Sequence, residues 1–125
     1  MIILYAEDDP EDVDVFCEAV KAISPKIACI IAKNGLEALS ILENSVVLPD
    51  IIFLDVNMPL LDGKECLKRL KSNKEMRNIP VVMYTTSTRQ NDKVSLLELG
   101  ASQYIVKPNT FQELYKCLET LLKVA

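Results

Sequence analysis

The chain contains no histidine and no tryptophan, and only three of its 125 residues are glycine. Without histidine, the commonest general base and the usual nitrogen ligand for zinc are missing. Histidine-based catalysis and zinc sites are therefore nearly excluded. The four cysteines, Cys17, Cys29, Cys66 and Cys117, form no CxxC pair. Each lies in an apolar pattern, so we expect buried, reduced thiols packing as small hydrophobes. No apolar run approaches the ~18 residues of a membrane span. No basic segment precedes Ile2-Ile3-Leu4, which argues against a signal peptide and for the cytoplasm. A positive excess is also missing: the net charge is −4, which disfavours nucleic acid as a direct partner.

What is present is one domain's worth of chain with 50% hydrophobic and 26% charged residues, an ordinary globular composition. Short apolar runs alternate with helical periodicity. Ile2–Ala6 reads as a first strand. Asp9 then caps and Pro10 opens a helix with Val13, Phe16, Val20 and Ile23 inward. Lys26–Ala32 carries a second strand, Asn34-Gly35 a turn, and Ala38, Leu39 and Leu42 the stripe of a second helix. Ile51–Leu54 is wholly apolar, as in a strand buried on both faces. After Asp55, Met58-Pro59 and Asp62-Gly63 supply turn chemistry. A third helix follows from Gly63 to about Ser72. Val81–Tyr84, Asn91–Leu99 with Gly100 behind it, Gln103–Val106 and a last helix from Phe111 complete the series. The six bases of Lys64–Arg77 read as a solvated helix face.

Five strands alternating with five helices predict an α/β fold with right-handed crossovers. We expect a flavodoxin-like, doubly wound five-stranded parallel sheet in the order 2-1-3-4-5, with helices on both faces. Nothing in residues 1–125 is left over for a second, effector domain.

In such a sheet the strand ends share one edge, where ligands bind. Strand one ends in Glu7 and Asp8, strand three in Asp55, strand four in Thr85 and strand five in Lys107. Singly, each has an ordinary structural reading: a helix N-terminus, a strand cap, a β-branched strand residue, a surface lysine. Together they place three carboxylates, a hydroxyl and an ammonium in one crevice. Clustered carboxylates repel, and a hard divalent cation such as magnesium relieves that with oxygen ligands. Asp8, Asp55 and a backbone carbonyl after Asp55 would hold it, with Glu7 acting through water. Lys107 and the Thr85 hydroxyl remain as donors to an incoming anion. That set suits phosphoryl transfer, in which positioning and electrostatics carry the catalysis. Asp55 would be the nucleophile and form an aspartyl phosphate.

The chain resembles the response-regulator receiver domains of two-component signalling over nearly its whole length. The matching pieces are Ala6-Glu7-Asp8-Asp9, Asn34 to Leu39, Leu54 to Pro59, Asp62-Gly63, Thr85, Gly100-Ala101-Ser102 and Tyr104 to Pro108. The resemblance implies that Asp55 receives phosphate from the phosphohistidine of a sensor histidine kinase or a phosphotransfer protein. It implies a magnesium site at Glu7, Asp8, Asp55 and the Asn57 carbonyl, with Glu7 orienting a bound water. Lys107 would contact the phosphoryl oxygens, and Thr85 with Tyr104 would report phosphorylation to a further protein target. It also implies a cis Lys107–Pro108 bond that aims the lysine. Two departures stand out. Thr86 replaces the small residue usual after the switch hydroxyl and is expected to narrow access to Asp55. Glu7 replaces the commoner aspartate.

A rival enzymatic reading is a magnesium-dependent phosphohydrolase with an aspartate nucleophile. Such enzymes place a second acid two residues after the nucleophile, where this chain has Asn57, and they usually carry a cap domain. A pseudo-receiver would lack the acid pair, the acceptor or the lysine, and all three are kept. A nucleotide-binding module would need a Gly-rich loop after strand one, which is missing.

Overall fold

The computed structural model describes residues 1–122. Its elements run β1 (Ile2–Ala6), α1 (Pro10–Ile23), β2 (Ala28–Ala32), α2 (Gly35–Glu43), β3 (Ile51–Leu54), α3 (Gly63–Ser72), β4 (Val81–Thr85), α4 (Gln90–Glu98), β5 (Gln103–Val106) and α5 (Phe111–Leu122). The strands form one parallel sheet in the order β2-β1-β3-β4-β5, as expected. Three boundaries differ. Strand two starts at Ala28 rather than Lys26, and helix four lies one residue earlier. Strand four extends through Thr85, because the Lys107 N–H donates to the Thr85 carbonyl at 2.7 Å and lengthens the ladder.

The period-two alternation of the strands splits the core in two. Leu4, Ala6, Ile52, Leu54 and Met83 face α2, α3 and α4, where Ala38, Leu42, Cys66, Leu67, Leu70 and Leu96 cover them. Ile3, Tyr5, Phe53, Val82 and Tyr84 face α1 and α5, against Phe16, Ala19, Val20, Leu114 and Leu118. On that second face Tyr5, Phe16, Phe53 and Tyr84 form an aromatic cluster with ring centroids 4.1–6.2 Å apart. Tilted and edge contacts of this kind add to what area burial alone supplies.

Polar residues set the helix starts. The side chains of Asp9, Asn34 and Asp62 accept the backbone N–H groups of Glu11, Glu37 and Glu65 at 2.8–2.9 Å. Asn34-Gly35 and Asp62-Gly63, read above as turns, are thus helix N-termini, each capped by its first residue. Helix α4 ends in a Schellman motif. Gly100, at φ +111, donates to the Leu97 carbonyl, and Ala101 donates to that of Leu96, the left-handed position a glycine adopts at no steric cost. The basic segment is not all solvated face. Lys71 Nζ donates to the carbonyls of Arg77 and Ile79 at 3.0 and 3.2 Å and closes the α3–β4 connector. Burial lowers its pKa from the ordinary lysine value.

The cysteines divide. Cys66 is buried, whereas Cys17, Cys29 and Cys117 are half-buried free thiols. Their apolar patterns lie at the margins of the helix–sheet contacts rather than at the centre. No helix of the described residues is long and apolar enough to cross a membrane.

In the loop after β3, Leu60 has φ +67 and is 77% exposed. The Leu61 N–H donates to the Pro59 carbonyl across it at 2.7 Å, a tight γ-turn that strains any side-chain-bearing residue. The left-handed conformation costs roughly 1–2 kcal/mol. A glycine gives back about 0.5–1 kcal/mol in unfolded-chain entropy. Leu60→Gly should therefore stabilise the fold by about 0.5–1 kcal/mol, read as a higher urea midpoint at unchanged slope. A lower midpoint would show that Leu60 makes stabilising contacts that outweigh its strain.

Candidate functional site

The carboxyl ends of β2, β1 and β3 are bound to one another just where the acids begin. Glu7 N–H donates to the Ala32 carbonyl at 2.9 Å, and Asp55 N–H to that of Ala6 at 3.2 Å. Glu7 is 2% exposed and Asp55 6%, while Asp8 is exposed. One carboxylate oxygen from each of Glu7, Asp8 and Asp55 lies within 4.8 Å of the others. A close start to α3 fixes the loop after Asp55 from behind. The Gly63 N–H donates to the Val56 carbonyl at 2.9 Å, and a Cβ at Gly63 would meet the Asp55 carbonyl oxygen at 2.2 Å. Only glycine allows that approach.

Lys107 lies at the centre. Its Nζ donates to Glu7 Oε1, to Asp12 Oδ2 at 2.7 Å and to Asp55 Oδ2 at 3.2 Å, and sits 5.8 Å from the centroid of the Tyr84 ring. The lysine was expected as a donor for an incoming anion, but here it already donates to three carboxylates, one after β1, one on α1 and one after β3. It does so through a trans bond: among the described residues no peptide bond is cis. The expected cis Lys107–Pro108 is therefore corrected, since the side chain reaches Asp55 without that bend. Glu7, likewise, meets protein directly. Tyr5 Oη donates to its Oε1 at 3.1 Å, and the Asp9 N–H to its Oε2 at 3.2 Å.

Burial dominates the titration of this cluster. It pushes the Glu7 carboxyl up to about 7, against the lowering effect of the Lys107 hydrogen bond and with Asp55 adding to the rise. At Lys107 burial disfavours the charge, but hydrogen bonds to Asp12 and Glu7 and the field of Asp55 outweigh it and hold the ammonium above the ordinary value. Tyr5 is held protonated, first by burial and then by the Glu7 charge.

Asp55 Oδ1 accepts the Asn57 N–H at 3.2 Å, which orients the carboxylate. Asn57 itself is exposed. Thr85 is fully buried at the end of β4, and its Oγ1 accepts the Ser87 N–H at 3.3 Å. The half-buried Tyr104 donates its hydroxyl to the Ser87 carbonyl at 2.9 Å, and Ser87 Oγ donates to Asp92 Oδ2 at 2.9 Å. Thr85 and Tyr104 thus hold opposite ends of one residue. Thr86, expected to narrow access to Asp55, is exposed.

Three participants escaped sequence reasoning. Asp12 falls three residues after the Asp9 cap, in the first turn of α1, where an acid reads as ordinary helix-start chemistry. Tyr5 stands two residues before Glu7, the first residue past β1, so continued period-two alternation puts both on one face. Ser87 carried no distinguishing signal.

The response regulator receiver domain model matches residues 3–119. Response regulator Rcp1 of Synechocystis sp. is 34% identical over 124 residues, covering 94% of this chain and 84% of that protein. Several other curated relatives are longer, and the chain spans less than half of their length. Among solved structures, the Mn(2+)-bound form of response regulator Rcp1 superposes with a TM-score of 0.90 at 29% identity, covering 99% of this chain and 96% of that one. The phosphorylated cyanobacterial phytochrome response regulator RcpA gives 0.90 at 28% identity, over 98% and 91%.

The raised carboxyl of Glu7 makes stability depend on pH with a definite sign. Unfolded, it releases its proton near 4.5; folded, near 7. Between those values the folded state binds more protons, so its stability falls as pH rises. In metal-free buffer the Glu7→Gln variant should lose less stability than the wild type between about pH 5 and pH 7. Equal losses in urea titrations of the two proteins would show that Glu7 ionises normally.

Proposed function

Because the chain belongs to the response regulator receiver family, we propose that Asp55 is its phosphoacceptor and that the donor is the phosphohistidine of a sensor histidine kinase or phosphotransfer protein. The observation that carries this reading is the meeting of Lys107 Nζ with Asp55 beside two further carboxylates. One Asp55 oxygen attacks phosphorus, the P–N bond breaks, and the imidazole leaves with the electron pair. Lys107 exchanges its Asp55 contact for a phosphoryl oxygen. The Asn57 N–H holds the other carboxylate oxygen in place.

Glu7, Asp8 and Asp55 form a donor set of the kind hard divalent cations prefer, and a solved relative is described as Mn(2+)-bound. We assign these three, with the Asn57 carbonyl, to a divalent-cation site, with magnesium as the intended ion. When bound, the ion neutralises charge that develops on the phosphoryl oxygens.

The response would run through Ser87. Thr85 Oγ1 turns from the Ser87 N–H toward a phosphoryl oxygen, which frees the loop end whose carbonyl Tyr104 holds. A phosphoryl group brings roughly −1.5 to −2 charge, and couplings of this kind amount to about 1–3 kcal/mol. The face formed by α4, β5 and α5 then changes what it presents to a target.

Incubation with a small phosphodonor and magnesium, followed by intact mass and amide NMR, tests both steps. Wild type and Thr85→Ala should each gain one phosphoryl group, and Asp55→Asn none. Only wild type should then shift across α4 and β5. Label persisting on Asp55→Asn would refute the acceptor assignment. Equal shifts in wild type and Thr85→Ala would refute the relay alone.

A further inference from the structure

Far from the carboxylate cluster, two sulfurs meet. Cys17 lies on α1, one turn beyond Val13. Cys29 lies on β2, an edge strand, on the same face as Ile27 and Ile31. Their Sγ atoms are 3.9 Å apart, though the residues are twelve positions apart in sequence. Both are half-buried free thiols. No other cysteine pair in the described residues makes such a contact. Cys66 is buried with its Sγ against the Gly35 carbonyl, and Cys117 stands on α5.

We propose that Cys17 and Cys29 form an oxidisable dithiol, a modification site at which a small peroxide closes a disulfide between α1 and β2. A disulfide needs sulfurs about 2.05 Å apart, so oxidation must draw this pair roughly 1.9 Å closer. The position at the sheet edge lets a small oxidant reach the pair. One thiolate attacks a peroxide oxygen and the O–O bond breaks. The sulfur becomes a sulfenic acid, and hydroxide leaves and takes up a proton as water. The second sulfur displaces the sulfenic oxygen, the S–S bond forms and a second water departs. Two thiols lose two electrons and two protons in total, and one peroxide is reduced to two waters. Burial pushes the Cys29 thiol up to about 12, with Cys17 beside it adding to the rise. The reaction is therefore expected to quicken with pH, because the thiolate is the reactive form.

Treatment with hydrogen peroxide, then intact mass and peptide mapping, tests the pair. The Cys66→Ser/Cys117→Ser variant, which keeps both sulfurs, should lose the mass of two hydrogens as a monomer and yield one Cys17–Cys29 cross-linked peptide. Its melting temperature should rise on the order of 10 °C, because the cross-link restricts the unfolded chain, and fall back on reduction. Cys17→Ser and Cys29→Ser should each show no loss of two hydrogens. Added oxygens without the cross-link in the two-sulfur variant, or a disulfide-linked dimer, would overturn the proposal.

Discussion

One ammonium holds the functional edge of this molecule together. Lys107 Nζ contacts carboxylates from β1, α1 and β3 and is itself 9% exposed at the side chain, against 1% for Glu7 and 9% for Asp55. Removing one partner from a buried ion pair typically costs about 3–5 kcal/mol, because the remaining charge is left uncompensated. The cluster links the end of β5 to those of β1 and β3, and loss of any one member would leave charge on the others poorly compensated. It also brings acidic oxygens together that would otherwise separate by repulsion. Asp12, at 38%, is the most exposed of the three partners, so its contact is the one solvent screens most.

That arrangement rests on an apolar base. Tyr5 and Tyr84 pack in the aromatic cluster under the site, so the same two rings serve core and chemistry. Tyr5 gives its hydroxyl to Glu7, and Tyr84 turns a face toward Lys107. Burying a carboxylate is tolerable only when its lone pairs are satisfied. Glu7 accepts from Tyr5, Asp9 and Lys107, and no buried side-chain polar atom among the described residues lacks a partner. The strained turn at Leu60 and the glycine contact behind Asp55 constrain the backbone of the loop that follows β3.

Much of this was legible in the linear pattern. Ile2–Ala6, Ile51–Leu54 and Gln103–Val106 are strands with the expected ends, because apolar runs bounded by polar residues mark strands clearly. A parallel sheet followed from the alternation of elements, its order 2-1-3-4-5 is one of the common doubly wound arrangements, and the convergence of Glu7, Asp8, Asp55 and Lys107 followed from that order. What escaped depends on how helices are rotated against the sheet. The phase of α1 brings Asp12 to Lys107, and Cys17 to Cys29, but nothing local in the sequence reports it. Cap and turn chemistry overlap, so Asn34 and Asp62 read as turns until their hydrogen bonds to the next turn were seen. Ser87 joins Thr85 and Tyr104 through backbone atoms, which every residue type possesses.

On the reading proposed above, the Lys107 ammonium and a divalent cation compete for the carboxylates of Glu7 and Asp55. Calorimetric titration of magnesium into wild type and Lys107→Met at neutral pH tests it most directly. Removing the competing charge while keeping most of the side-chain volume should tighten magnesium binding by about tenfold or more, since a nearby unit charge shifts binding by at least ~1.4 kcal/mol at low effective dielectric. Unchanged or weaker binding by a folded Lys107→Met protein would contradict the account.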